Sequence, residues 1–144
     1  MESKELSRGD HGRTYVLVFS QGDEVVETLS GWCEDRGITA ARFTAIGAFQ
    51  DAVLAWFDWE AREYCAIPVD DQVEVLALTG DVALKADLPV VHAHVVVSGR
   101  DGNARGGHLI RGRVRPTLEL ILDEVPARLA KRHDDASGLA LIAP

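Results

Sequence analysis

The sequence predicts an α+β domain in which one amphipathic helix accompanies a series of strands. Three observations favour this fold class: a single apolar stripe at helical spacing in residues 20–37, repeated short β-branched and aromatic runs after residue 38, and turn signals between those runs. The length of 144 residues suits one domain, and 47% hydrophobic with 26% charged residues is typical of a globular protein.

The helix is predicted over residues 20–37, SQGDEVVETLSGWCEDRG. Asp23 and Glu24 favour its N-terminus through the helix dipole, and Gly37 is placed to end it in a left-handed conformation. The residues at helical spacing form one apolar face: Val25, Val26, Leu29, Trp32 and Cys33.

The remaining apolar runs predict strands. A tight turn is expected near Gln50–Asp51, and a hairpin turn at Gly99–Asn103, where Asp-Gly tolerates positive φ angles. One helix covers only part of a sheet this large, so the sheet must close into a barrel or sandwich or be covered by another subunit. The predicted strands are residues 13–19, 38–49, 51–59, 63–67, 72–84, 89–99, 104–115 and 116–125.

Two terminal segments flank the predicted domain of residues 13–125. Residues 1–12 are polar and aperiodic, which predicts a flexible leader. Residues 126–144 are predicted to form a tail with a helical turn, packing on the domain or on a neighbouring subunit. The chain has neither a long apolar run nor the apolar centre of a signal peptide, so we expect a cytoplasmic protein without a membrane span.

Three of the five histidines lie in one segment, VVHAHVVVSGRDGNARGGHLIRG. Side chains alternate along a strand, so His92 and His94 share one face while valines and alanine form an apolar core face. The hairpin turn can bring His108 beside them. Three converging imidazoles suit Zn²⁺ with an open fourth position; otherwise they line a polar pocket or a subunit interface. Gly106 and Gly107 would allow close backbone approach or leave room for a ligand.

Two other polar features are candidates for function. Glu119 either enters the histidine pocket, as a partner of a ligand or as a general base, or is a solvated carboxylate. Arg111, Arg113 and Arg115 share a strand face that either binds an anion or pairs with the many acidic residues. The net charge of −8, from 15 basic and 23 acidic side chains, disfavours nucleic acid as a partner.

The order of these segments resembles the PPC domain, the plants-and-prokaryotes conserved domain. The similarity covers roughly residues 13–125: a helix ending in glycine, then AIGAF, QVEVLALTGDV, the H-x-H…G-G-H-L segment and TLELIL. It implies a homotrimer in which one main helix packs on an antiparallel-rich, mixed, barrel-like sheet. It also implies that His92, His94 and His108 hold a metal, zinc in the first place.

The resemblance implies three classes of function. The first is a metal site that binds a small molecule. The second is DNA-binding or transcription-associated regulation, as in the plant proteins, although the chain has no AT-hook core. The third, from a more distant similarity to acetolactate decarboxylase, is a metal-dependent lyase acting on a small oxo-acid. In the plant proteins the corresponding segment contacts other proteins, which implies an interaction surface at Gln72, Val73, Glu74, Val75 and Leu76.

Overall fold

A computed structural model describes residues 1–143, and in it these residues form one α-helix and nine strands. The single helix and the extensive sheet confirm the predicted combination of one main helix with a large sheet, and the domain is mostly β with one short helix. The elements are β1 (Glu2–Gly9), β2 (Gly12–Ser20), α1 (Val25–Arg36), β3 (Ala40–Asp58), β4 (Glu63–Val69), β5 (Val73–Lys85), β6 (Leu88–Ser98), β7 (Ala104–Glu124), β8 (Ala130–His133) and β9 (Ala140–Ala143).

The strands form one mixed sheet that closes on itself. Its order is β1-β2-β7-β3-β5-β8-β9, with β4 beside β3 and β6 beside both β5 and β7. Because β3 also pairs with both β5 and β7, the four strands β3, β5, β6 and β7 complete a ring. The pairing of β5 with β8 is parallel, and the other strand pairs of residues 1–143 are antiparallel. The barrel-like, antiparallel-rich sheet is therefore present.

Two strands are longer than the sequence predicts. The expected turn at Gln50–Asp51 is absent, because β3 runs without interruption for 19 residues through its register shifts and pairs with β7 on both sides of that point. β7 runs for 21 residues through Pro116, which lies between pairings with β3. Both strands change partners along their length, so each of them pairs with different neighbours at its two ends.

The terminal segments are also more ordered than expected. Residues 2–9, expected to be a mobile leader, instead form β1, which pairs antiparallel with β2; their side chains are all exposed, so no apolar alternation marks this strand. The tail has strands in place of the expected helical turn. β8 and β9 form a hairpin that adds to the edge of β5, where the backbone N–H of Leu84 donates to the carbonyl of Leu129.

The helix packs over the barrel with its predicted apolar stripe inward, and Val25, Leu29, Trp32 and Cys33 are buried. Gly37 ends it with a φ of 64°, the left-handed conformation predicted for this position. Within residues 1–143 the structure has one α-helix, the 12-residue α1. It is neither long nor apolar enough to cross a membrane. The largest fully buried side chains include Leu17, Phe19, Ile38, Phe49, Leu54, Leu78, Leu118, Leu120 and Leu122.

Glu24 joins the helix to the sheet. Its carboxylate accepts hydrogen bonds from the backbone N–H groups of Val26 at 3.3 Å and Glu27 at 2.7 Å, in the first turn of α1. The same carboxylate accepts one from the N–H of Gly112 on β7 at 2.9 Å. One side chain thus satisfies donors on two elements that are far apart in the sequence.

We expect the substitution Glu24→Ala to lower the free energy of unfolding by about 2 kcal/mol, because it removes the helix cap and leaves the Gly112 N–H without its acceptor. Chemical denaturation measures the change. Glu34→Ala, at an exposed position of the same helix, is the control and should change stability by less than about 0.5 kcal/mol. Equal effects of the two substitutions would contradict the role of Glu24.

Candidate metal centre

The three histidines meet where β6 and β7 pair. His92 and His94 lie on the same face of β6, and His94 is the direct cross-strand partner of His108 on β7. One nitrogen atom from each ring lies within 4.8 Å of the other two. The ring centroids are 5.3 Å apart for His92–His94 and His92–His108, and 5.5 Å apart for His94–His108. The predicted convergence of the three imidazoles is confirmed.

The valine run lies beneath this face. Ala93, Val95 and Val97 alternate with the histidines along β6 and are at most 3% exposed. His94 is exposed, whereas His92 and His108 are partly buried, so the cluster lies at the surface on an apolar floor. Such a site is accessible to a small ion or molecule from one side.

Asp81, on β5, orients His92. The two residues are direct cross-strand partners, and the Nδ1 atom of His92 lies 3.2 Å from Oδ2 of Asp81. Burial raises the pKa of Asp81, but the hydrogen bond with His92 and the charge of Lys131 outweigh it and hold the pKa below its usual value. An ionised carboxylate only accepts hydrogen bonds, so Nδ1 of His92 carries the proton and Nε2 is free to bind a metal.

Lys131 reaches the same carboxylate from the C-terminal hairpin. Its Nζ atom lies 3.7 Å from Oδ1 of Asp81, and its side chain is only 8% exposed. Asp81 therefore contacts His92 with one oxygen and Lys131 with the other.

His108 is held between the sheet and an aromatic ring. Its imidazole stacks on Tyr64 of β4 with a centroid distance of 4.5 Å and an interplanar angle of 21°. Burial, followed by the charges of His92, His94 and Lys131, lowers the pKa of His108 to about 4. Burial and then His92 also lower the pKa of His94. Both rings are neutral near pH 7 and can donate a lone pair.

The Nδ1 atom of His108 is buried and has no hydrogen-bond partner within residues 1–143. A buried polar atom without a partner costs free energy, of the order of 1–3 kcal/mol. A ligand of the cluster, or a rearrangement of the ring on binding one, would remove this cost.

Gly106 and Gly107 allow strands to approach closely beside His108. A Cβ atom at Gly107 would lie 2.6 Å from the carbonyl oxygen of Ala55, and one at Gly106 would lie 2.7 Å from that of Val95. Two roles were expected for these glycines, and the geometry agrees with the first, which is to let neighbouring backbones approach closely.

Glu119 lies in another part of β7. It pairs with Val18 and Ile46, whereas His108 pairs with Ala55, nine positions further along β3, which is on the order of 30 Å of extended strand. Glu119 instead lines a shallow groove with Ile46, Leu76 and Thr117. The carboxylate that touches the histidines is Asp81, and the structure does not bring Glu119 to them.

The arginine stripe is partly paired with acids. Arg113 donates to Oδ2 of Asp51 from Nε at 2.9 Å and from Nη2 at 2.6 Å, and Nη2 of Arg111 lies 3.6 Å from Oδ1 of Asp51. Arg115 lines the same shallow depression, together with Asp70 and Asp71. The surface therefore mixes both signs of charge.

The predicted interaction segment lies at the start of β5 and just before it. Val73 and Val75 are buried in the core, whereas Gln72, Glu74 and Leu76 are exposed. Leu76 is 51% exposed and shares its groove with Ile46.

Three residues of the centre were absent from the sequence-based prediction: Asp81, Tyr64 and Lys131. The position of Asp81 beside His92 follows from the register of the β5–β6 hairpin. Lys85 pairs with Leu88, and each step back along β5 matches one step forward along β6, so Asp81 lies opposite His92. No comparable local signal marks Tyr64 or Lys131.

Comparisons with known proteins give the family of the chain. A model of the Plants and Prokaryotes Conserved (PCC) domain matches residues 6–126. A plant- and prokaryote-conserved protein from Pyrococcus horikoshii is 32% identical, with a TM-score of 0.89 and 94% of each chain covered. A metal-containing protein from Archaeoglobus fulgidus is 31% identical, with a TM-score of 0.87, covering 94% of this chain and 96% of that one.

Two further similarities are more limited. A structure described as a putative DNA-binding protein from Bacteroides thetaiotaomicron has a TM-score of 0.89 at 22% identity, covering 98% of this chain and 96% of that one; it shows the fold alone. A protein similar to alpha-acetolactate decarboxylase from Staphylococcus aureus, at 12% identity and a TM-score of 0.57, also shows only the fold, over 77% of this chain and 52% of that one.

Among curated proteins, the bifunctional protein GlmU of a Synechococcus strain is 27% identical over 129 residues, which are 88% of this chain. The chain spans only 20% of the length of that relative. The match of the family model over most of the sequence shows that this chain belongs to the Plants and Prokaryotes Conserved (PCC) domain family.

Proposed function

We propose that His92, His94 and His108 hold a divalent transition metal, zinc in the first place, and that its open coordination position binds a small molecule. The observation that carries this proposal is the convergence of three imidazole nitrogens within 4.8 Å. Three neutral histidine ligands with a free fourth position are typical of catalytic zinc sites.

The residues present fit such an ion. Asp81 fixes the proton of His92 on Nδ1, the arrangement in which a carboxylate orients a metal-binding histidine. Burial keeps the His108 ring neutral, and its buried Nδ1 has no partner within residues 1–143. A bound zinc ion would supply Lewis acidity to an oxygen ligand at the open position. The relative from Archaeoglobus fulgidus, described as metal-containing, also supports the proposal.

The proposal includes self-association as a homotrimer. One face of the sheet carries apolar side chains that a monomer exposes: Val18 at 39%, Ile46 at 62%, Leu76 at 51% and Ile121 at 41%. Ile46 and Leu76 line one groove, and Val18 and Ile46 both pair with Glu119. A contiguous exposed apolar surface of this kind is typical of a subunit interface.

DNA binding is the second candidate, and it rests on a protein from Ralstonia eutropha that is 27% identical and is described as a putative DNA-binding protein. Arg111 and Arg113 already share Asp51, and the net charge is −8. Phosphate contacts by these side chains would have to compete with that carboxylate. The metal-dependent lyase rests on a similarity of fold alone, and fold does not determine reaction.

We expect the purified, tag-free protein to contain about one zinc ion per chain, and we expect His94→Ala and His108→Ala to lose it, because each removes one of only three ligands. Elemental analysis measures the metal. His133→Ala, which changes an exposed histidine of β8, is the matched control and should retain the ion. Wild-type protein that remains free of metal after incubation with zinc would refute the proposal.

We expect Asp81→Asn to weaken zinc binding by roughly 10- to 100-fold, because the loss of the carboxylate charge leaves His92 less basic and less firmly oriented. Competition with a chromophoric chelator measures the affinity. Asp87→Asn makes the same change of charge in the turn of the same hairpin, where the side chain is 86% exposed, and should leave zinc affinity unchanged. Equal affinities of the two variants would contradict the role given to Asp81.

We expect the protein to sediment with three times the mass of its 15.7 kDa chain, and Ile46→Glu to shift it to smaller species by placing a charge on the apolar face. Leu88→Glu, at a side chain that is 54% exposed beside the β5–β6 turn, is the control and should remain a trimer. A wild-type protein that sediments as a monomer would exclude the assembly.

A further inference from the structure

His108 lacks the hydrogen bond that orients His92. The Nδ1 atom of His92 contacts the carboxylate of Asp81, whereas the Nδ1 atom of His108 is buried and has no hydrogen-bond partner within residues 1–143. A metal-binding imidazole usually has an outer partner that fixes the orientation of its ring. Since His108 has no such partner at Nδ1, packing must hold its ring in the orientation in which it meets His92 and His94.

The side chain that packs on this ring is Tyr64 of β4. The two rings are stacked, with a centroid distance of 4.5 Å and an interplanar angle of 21°. The torsion that turns an imidazole about its bond to Cβ has a broad range of allowed values, so rotamer preference alone does not fix it. A nearly parallel stack restrains it, because a turned imidazole would drive its edge into the ring of Tyr64.

Tyr64 is itself held from its other side. Phe57 of β3 is its direct cross-strand partner and contacts its ring edge-on, with a centroid distance of 5.3 Å. Trp59 contacts Phe57 in the same way at 6.3 Å. The ring of Tyr64 thus lies between Phe57 and His108, and it cannot shift without disturbing one of these contacts.

The sheet leaves room for the stack. Ala55 of β3 pairs with His108 on one side and with Ala66 of β4 on the other, and Tyr64 lies two residues from Ala66 on the same face. Tyr64 therefore reaches His108 diagonally, across a position at which β3 carries only a methyl group. A larger side chain in place of Ala55 would stand between the two rings.

We propose that Tyr64 is a positioning residue of the metal centre, and that its ring orients His108 as the carboxylate of Asp81 orients His92. This inference rests on the metal site proposed above. The stack holds His108 in place before and after the metal binds, so less conformational freedom is lost on binding. The hydroxyl group is not needed for stacking, so phenylalanine at this position should serve equally well.

Two variants of Tyr64 and one control test this role. Tyr64→Phe keeps the aromatic ring, and Tyr64→Leu replaces it with an aliphatic side chain. The control is Trp56→Leu, because Trp56 is an aromatic residue of the same β3–β4 hairpin, is 61% exposed, and lies on the face opposite to Phe57 and Tyr64.

We expect Tyr64→Leu to bind zinc about tenfold more weakly than the wild type, because the stabilisation by one aromatic pair corresponds to a factor of up to about ten. Tyr64→Phe and Trp56→Leu should bind zinc as the wild type does. Competition with a chromophoric chelator measures the affinities. Circular dichroism checks folding, and Tyr64→Val, which has a favourable residue for a strand, replaces Tyr64→Leu if that variant does not fold.

A spectrum of the bound metal separates positioning from a general effect on stability. Zinc has a filled d shell, so each variant is also loaded with cobalt(II), whose visible bands report the arrangement of its ligands. In Tyr64→Leu we expect broadened and displaced bands, because the ring of His108 is no longer held in one orientation. The bands of Tyr64→Phe should coincide with those of the wild type.

The outcomes separate the two proposals. Equal zinc affinity and equal cobalt bands in the wild type and in folded Tyr64→Leu would overturn the role of Tyr64 and leave the metal site intact. An equal loss of affinity in Tyr64→Phe and Tyr64→Leu would assign the effect to the hydroxyl group and would also overturn positioning by the ring. A wild-type protein that binds neither zinc nor cobalt would refute the metal site itself.

Discussion

The centre depends on the register of β6 between its two neighbours. β6 pairs with β5 on one side and with β7 on the other, and these pairings close the barrel. The same register places His94 opposite His108 and His92 opposite Asp81. A slip by one residue would turn the histidines towards the core and the valines towards solvent. The burial of Ala93, Val95 and Val97 therefore fixes the geometry of the polar face above them.

Close approach of the backbones supports this arrangement. A Cβ atom at Gly80 would lie 2.2 Å from the carbonyl oxygen of His92, and one at Gly107 would lie 2.6 Å from that of Ala55. Gly80 precedes Asp81, and Gly107 precedes His108, so these two residues of the centre are each next to a point where the sheet has no room for a side chain. Substitution of either glycine would separate strands that must be adjacent for the imidazoles to meet.

The histidine cluster could be predicted from sequence because the residues that determine its geometry lie close together in the chain. Alternation in the valine run and the Asp-Gly turn at residues 101–102 determine the relation of His94 to His108. The contact of Asp81 with His92 depends on the turn at Ala86–Asp87, whose φ values of 50° and 65° are uncommon for these residue types, so no turn signature revealed the register.

Gln50–Asp51 and Pro116 resembled strand ends, but β3 and β7 continue through both points. Lys131 lies 50 positions beyond Asp81, in a parallel pairing that leaves no local pattern.

The residues of the centre come from two different parts of the fold. The ligands belong to the hairpin of β6 and β7, whose register is fixed by the core, whereas the charge that balances Asp81 comes from the C-terminal hairpin at the sheet edge. Screening limits charge effects to about 8 Å at physiological ionic strength, so the net charge of −8 has little influence on a partly buried site compared with one ammonium group beside it. A substitution of Lys131 in the tail can therefore change the charge around Asp81 without moving any histidine.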